Sequence, residues 1–285
     1  MQLHVVLPAE SPEMDIRRLA DLAQEAEHLG YDGVWLPDHL LPPGPYGPEK
    51  YGGVYEPLTA LAYLAAVTRD ITLGTSVLIL PLRDPLLVAR QAATLARAAG
   101  GRFVLGVGAG WEAYEFDAAG VDFATRGART TSALRVIRHL HEHGGGPYED
   151  AFHSFDERAV FQPVPEHPVP FLIGGNSKAA LRRAAEVGDW WQGVALEPRE
   201  FAERRGRLRE LGGERRIKAG TRIDWDDDGR DVRAVREEVE AWRAVDADHL
   251  AVWFGSVEGD GFRRRMRALA EAVGLGGGGG SGGRV

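Results

Sequence analysis

Four short stretches of this 285-residue chain carry residues that could do chemistry. "PDHLL" sets Asp38 beside His39. Histidine is the side chain best suited to moving protons near neutral pH. The plainer alternative is that Asp38 caps a loop or helix and His39 is merely polar. "LGVGAGWEAYEF" (105–116) alternates Gly106, Gly108 and Gly110, then brings Trp111 and two carboxylates, Glu112 and Glu115. "IGGNS" places Gly174, Gly175, Asn176 and Ser177 where a helix opens. Backbone N–H groups at a helix start suit a phosphate, with Lys178 or Arg182 as a source of nearby positive charge. Ser177 also has a simple alternative job as the N-cap. In "TSVLILPLRDP", Arg83 could meet an anionic ligand or pair with Asp84.

The glycine stretch poses a choice. A dinucleotide fingerprint needs G-x-G-x-x-G leading straight into a helix, with an acidic residue about 20 positions on. Here the order is G-x-G-x-G-W, after the fourth candidate strand, with Gly120 and Gly127 intervening before a convincing helix. A Rossmann loop is therefore a poor reading. At the end of a barrel strand, the same glycines would let a flat ligand approach the backbone, or would fit a crowded barrel interior.

The elements that must position these residues alternate along the chain. Apolar, β-branched runs at 3–8, 33–37, 71–80, 102–108, 169–175, 189–196, 216–224 and 249–254 read as strands. Helical patterns follow at 16–29, 57–68, 85–100, 128–143, 177–188, 198–211, 231–245 and 261–274. Runs apolar throughout suit parallel strands buried on both faces. Eight such units in about 250 residues match a closed (β/α)8 TIM barrel, ahead of an open doubly wound sheet. One domain over 1–274 is expected. A proline- and glycine-rich loop (40–56) and an insertion between the fourth helix and fifth strand (144–168) stand outside the repeat. A Gly-rich tail (275–285) is expected to be flexible.

Composition narrows the function. The chain has no cysteine, which excludes disulfides, thiolate metal sites and a cysteine nucleophile. A formal net charge of −8 argues against nucleic acid as a main partner. No stretch reaches membrane-spanning length, and the start lacks a signal-peptide pattern, so a cytoplasmic protein is expected. In "HLHEH", His139 and His143 share a helix face, but no third ligand is evident, so no metal is expected. "DWDDDG" (224–229) reads as a turn rather than a calcium loop. Trp190 and Trp191 read as core packing rather than a pocket wall.

Four motifs in order carry a family resemblance: "AEHLGYDGVWLPDHLL" (26–41), "ITLGTSVLILPLRDPLLVARQAATL" (71–95), "GGRFVLGVGAGWEAYEFDAAGVDFATRGART" (100–130) and "PVPFLIGGNSKAALRRAAEVGDWW" (168–191). Over residues 1–255 the chain resembles the luciferase-like monooxygenase superfamily, and within it the actinobacterial branch that uses the deazaflavin coenzyme F420. The resemblance implies an oxidoreductase passing a hydride between F420 and a small organic substrate. FMN in an oxygen-using monooxygenase, or a non-catalytic flavin-binding relative, is the alternative. It implies that Asp38 and His39 contact the ring or substrate. It implies a non-proline cis peptide, assigned to Ser76–Val77, backing the ring, with Val107 and Gly108 beside it and phosphate on residues 174–177. Related sugar-phosphate dehydrogenases carry a catalytic glutamate where Trp111 stands, which leaves Glu112 or Glu115 as replacements, Glu112 being the catalytic candidate. The family is commonly dimeric, so a homodimer through the second and third helices is expected.

Overall fold

The computed structural model describes residues 1–10, 14–43, 55–225, 231–255 and 261–275. Most of the 40–56 loop, the acidic run at 226–229 and the tail from 276 lie outside the described residues. Eleven strands and nine α-helices are described in the order β1 (Gln2–Val6), α1 (Ile16–His28), β2 (Gly33–Leu36), α2 (Pro57–Val67), β3 (Thr72–Thr75), β4 (Leu78–Ile79), α3 (Pro85–Ala98), β5 (Phe103–Gly108), α4 (Ala113–Ala118), α5 (Arg126–His143), β6 (Tyr148–Glu149), β7 (Ser154–Phe155), β8 (Phe171–Gly174), α6 (Lys178–Val187), β9 (Trp190–Val194), α7 (Pro198–Gly212), β10 (Lys218–Asp224), α8 (Val232–Ala244), β11 (His249–Trp253) and α9 (Gly261–Ala272).

All eight expected strands form, and they close into a parallel (β/α)8 barrel. The insertion supplies the antiparallel β6–β7 hairpin. Its Asp150 accepts from Ser132 Oγ (2.6 Å) and Tyr148 Oη (2.8 Å), which ties it to α5. The helices obey local rules. In α1, Leu19, Ala20, Leu22, Ala23 and Ala26 face inward and Asp15 caps the start. In α3, Pro85 occupies the first turn and Asp84 accepts from Leu86 N–H. The last helix continues into a turn in which Leu275 N–H donates to the Ala270 carbonyl. Among the described residues no helix is long and apolar enough to cross a membrane.

Two features depart from the sequence expectation. The helical segment α4, six residues long, lies in a stretch read as loop. The single strand expected at 71–80 is two strands. Between the pairs Gly74–Val104 and Leu78–Val107, the third barrel strand advances four residues while β5 advances three. The extra residue makes a bulge, and the Ser76–Val77 peptide within it is cis.

The barrel interior holds polar side chains with few partners. Trp35 Nε1 donates to His4 Nδ1 at 2.6 Å, and the His4 and His249 rings stack with centroids 5.7 Å apart. Trp190 packs beside both rings, and Trp191 is fully buried, so both tryptophans belong to the core. Burial holds His249 down at about 4, against its bond to the Trp191 carbonyl, and burial also lowers His4. Both rings are therefore neutral in the folded barrel at pH 7. An unfolded chain takes up protons at these positions below about pH 6.5, so their depressed values give stability that is full above pH 6.5 and lost as pH falls toward 4. Denaturant unfolding at pH 7.5 and pH 5 should show a loss of a few kcal/mol. His249→Gln should flatten that dependence; an unchanged slope would contradict neutral buried rings.

Candidate active site

The C-terminal ends of the barrel strands surround a cavity of about 520 Å³. This is ordinary for a small-molecule site and lies on the face where barrel enzymes work. A larger, shallow hollow of about 750 Å³ covers the β6–β7 hairpin, away from the strand ends.

The glycines on β5 make room for the third barrel strand. A Cβ on Gly106 would sit 1.8 Å from the Thr75 carbonyl oxygen, and one on Gly108 would sit 2.6 Å from Val77 Cγ2. A Cβ on Gly110, whose φ is +78°, would lie 2.8 Å from Ile79 Cγ2. On the other side, a Gly174 Cβ would lie 2.8 Å from Val77 Cγ1. Val77 is thus seated between Gly108 and Gly174, and all three line the cavity. Val107, one residue back, is fully buried behind this wall. Ser76 Oγ accepts from Gln192 Nε2 at 2.8 Å, while Gln192 Oε1 is buried without a partner among the described residues.

Asp38 is buried and lines the cavity beside His39. Its Oδ2 accepts Ile79 N–H at 2.8 Å and its Oδ1 accepts Arg83 Nη2 at 2.7 Å. Burial raises its pKa, while Arg83 and the Ile79 amide pull it back down. These bonds tie the end of β2 to the strand beyond the bulge. Arg83 also reaches Glu56 at 3.0 Å, so its side-chain partners among the described residues are Asp38 and Glu56, not Asp84.

His39 lines the cavity and its Nδ1 lies 2.9 Å from Glu115 Oε2. Glu115 is 1% exposed, and its Oε1 accepts Leu40 N–H at 2.6 Å and Leu41 N–H at 2.9 Å. A carboxylate only accepts, so a neutral His39 ring bonded to Glu115 carries its hydrogen on Nδ1. Glu112, the carboxylate expected to be catalytic, instead accepts Tyr114 N–H at 3.0 Å as the cap of α4, and it is not on the cavity wall. The Trp111 ring meets His39 edge to face, with centroids 5.7 Å apart.

The far wall carries the charge. Gly175, Asn176 and Ser177 line it. Asn176 is committed to Val194, donating to its carbonyl at 2.7 Å and accepting its amide at 3.1 Å. Ser177 Oγ caps α6 by accepting Ala180 N–H. Lys178 and Arg182 are not on the wall; Arg126, Arg183 and Arg222 are. Arg183 is buried, held by Thr131 Oγ1 at 3.0 Å and the Gly127 carbonyl at 2.8 Å. Among the described residues no His, Asp or Glu cluster could hold a metal ion.

A glycine- and valine-lined wall with a cationic end suits a flat anionic ligand. The profile of the luciferase-like monooxygenase family matches residues 1–225. This chain belongs to that family. An uncharacterized protein of Mycobacterium tuberculosis (strain ATCC 25618 / H37Rv) is 35% identical over 207 residues, covering 67% of this chain and 71% of that one. An F420-dependent glucose-6-phosphate dehydrogenase of Kineococcus radiotolerans is 35% identical over 176 residues, or 60% of this chain and 50% of that one. In fold, the chain is similar to an F420-dependent secondary alcohol dehydrogenase in complex with an F420-acetone adduct. The TM-score is 0.81 at 18% identity, covering 96% of this chain and 98% of that one.

Glu115→Ala would leave the Leu40 and Leu41 amides and His39 without their acceptor. Fully buried donors left unmatched cost about 1–3 kcal/mol each, and these are partly buried, so unfolding in denaturant should show a loss of about 1–2 kcal/mol. Glu115→Gln keeps one acceptor oxygen and should lose less. Equal stability of Glu115→Ala and the parent would show that the network is not closed in solution.

Proposed function

We propose that the protein is an F420-dependent oxidoreductase acting on a small organic substrate. The observation that carries the reading is the pairing, in one cavity, of a cationic wall with the oriented His39–Glu115 pair. The named F420-dependent relative and fold neighbour support it. When bound, the deazaflavin accepts or supplies a hydride, and that chemistry belongs to the coenzyme.

The chain's residues do the rest. Val77, between Gly108 and Gly174, offers the wall for the ring, with Ser76 and Val107 supporting it. Gly174, Gly175, Asn176 and Ser177, with Arg126 and Arg183, hold the phosphate end; Asn176 and Ser177 contribute through backbone, since their side chains are already bonded. Asp38 shapes the site through Ile79 and Arg83. His39 Nε2 takes the hydroxyl proton as an alcohol becomes a carbonyl, or returns it in the reverse direction, and Glu115 steadies the charged ring. Tyr63 on α2 and Leu86 and Leu87 on α3 are exposed apolar side chains that suit a homodimer contact. The cysteine-free chain suits the cytoplasm. FMN is the second reading, favoured by fold neighbours such as a Baeyer-Villiger monooxygenase constituent in complex with FMN (TM-score 0.77, 13% identity, covering 96% of this chain and 98% of that one).

Parallel titrations with F420 and FMN, followed by tryptophan quenching, test the reading. F420 should bind at least tenfold more tightly. The opposite preference would support the monooxygenase reading, and no binding of either would remove both. His39→Asn should lower turnover by about 10²–10⁴-fold, the usual contribution of a proton-transfer group, while F420 affinity stays within a few-fold of the parent.

A further inference from the structure

We infer that a small cavity at the N-terminal ends of β10 and β11 is a second anion site, in which Arg205, Arg209, Arg215 and Arg216 hold a phosphate dianion, free or carried by a small ester. It lies at the end of the barrel opposite the candidate active site and does not rest on the functional reading above.

The cavity has a volume of about 300 Å³, the small end of the range for ligand sites. Arg215 and Arg216 stand just before β10 and Asp248 just before β11, while Arg205 and Arg209 come from α7. These are strand starts, whereas Arg222, further along the same β10, lines the cavity at the strand ends. Residues 204–218 hold seven basic side chains and two acidic ones, a local charge of +5 in a chain of net charge −8. Charge of one sign gathered in one place repels itself and weakens the compact state unless an opposite charge answers it.

Two of the four arginines are fixed by the fold. Arg205 Nη1 lies 3.2 Å from Asp246 Oδ2. Arg215 donates to the Ala185 carbonyl at 2.6 Å and to the Glu186 and Gly188 carbonyls at 2.7 Å, closing the end of α6. Carbonyls satisfy its N–H groups but do not cancel its charge, and Asp189, 3.9 Å away, is shared with Arg138. The other two, Arg209 and Arg216, have no side-chain partner among the described residues, although both line the cavity. Asp248 is the one acid on the wall, and its Oδ2 accepts Ala219 N–H at 2.8 Å.

The unanswered charge selects the ligand. A guanidinium presents a planar fork of N–H donors that matches two oxygens of one anion. Two such forks on one small wall supply two positive charges, which a phosphate dianion answers and a single carboxylate does not. Leu208 and Ile217 complete the wall and offer apolar contact to a small group esterified to the phosphate. A nucleic acid needs a broad basic face, and the overall charge of −8 works against one.

The test is calorimetric titration of inorganic phosphate and of phenyl phosphate into the full chain at pH 8, in a low-salt buffer free of other phosphate. Each is repeated in the double variant Arg209→Ala, Arg216→Ala, and in Arg126→Ala, which reports on the cavity at the strand ends. The expected result is a saturable site that survives Arg126→Ala and is weakened tenfold or more in the double variant. Tighter phenyl phosphate assigns the site to an ester, and equal affinities assign it to the free ion; both support it. Ligand should also raise the melting temperature of the parent and leave that of the double variant unmoved. Arg209 and Arg216 are exposed, so the double variant should fold, and without ligand it should melt no lower than the parent because like charges have been removed. The absence of any saturable site that survives Arg126→Ala, or its persistence in the double variant, would overturn the inference. So would tighter binding of a short DNA duplex that is lost in the double variant, which would make these arginines part of a nucleic-acid face.

Discussion

The close approach of the third and fourth barrel strands organises this molecule. Thr75, Val77 and Ile79 each press on a position that only glycine can hold: Gly106, Gly108 and Gly110. A Cβ at Gly106, 1.8 Å from the Thr75 carbonyl oxygen, would drive the two strands apart. The contact lets the third strand take one extra residue and leaves Val77 facing the barrel mouth between Gly108 and Gly174. The glycine-rich turn is thus a seat for a neighbouring strand before it is a seat for any ligand. The ligand wall is the product of that packing.

Two buried carboxylates then join this wall to the rim. Asp38 links the end of β2 to Ile79 and Arg83, so the bulged strand is tied to the His39 segment. Glu115 links the His39 segment to α4 and fixes which ring nitrogen carries hydrogen. Neither carboxylate needs to touch a substrate to shape the chemistry. His39, the Leu40 and Leu41 amides and the Val77 wall are linked because both carboxylates are satisfied by backbone amides and a fixed partner, which is the condition for holding charge under cover.

Much of the barrel was legible in the sequence because strands buried on both faces must be apolar along their whole length. The eight runs showed themselves without help from long-range contacts. The split of the third strand was not legible from residue types: "ITLGTSVLIL" is as apolar and β-branched as an unbroken strand, and only the family resemblance marked Ser76–Val77. The helix α4 was hidden by its six-residue length, too short for a periodic pattern to emerge. That concealment also hid the roles of its two acids. Glu112 stands at the helix start, where a carboxylate caps, while Glu115 turns inward one helical step later. The same issue of phase separates Arg182, which stays off the cavity wall, from Arg183, which lines it three residues after the cavity-lining Ala180. Arg83 found Asp38 and Glu56, 45 and 27 positions away, and spacing alone carries no signal for such pairs.

The central claim is that the Val77 wall and the cationic end of one cavity hold a deazaflavin beside His39. A crystal structure of the protein grown with F420 tests it most directly. The ring should pack on Val77 between Gly108 and Gly174, with the phosphate at residues 175–177 near Arg126 and Arg183. A ring bound away from Val77, or a phosphate placed at the Trp111 rim, would contradict it.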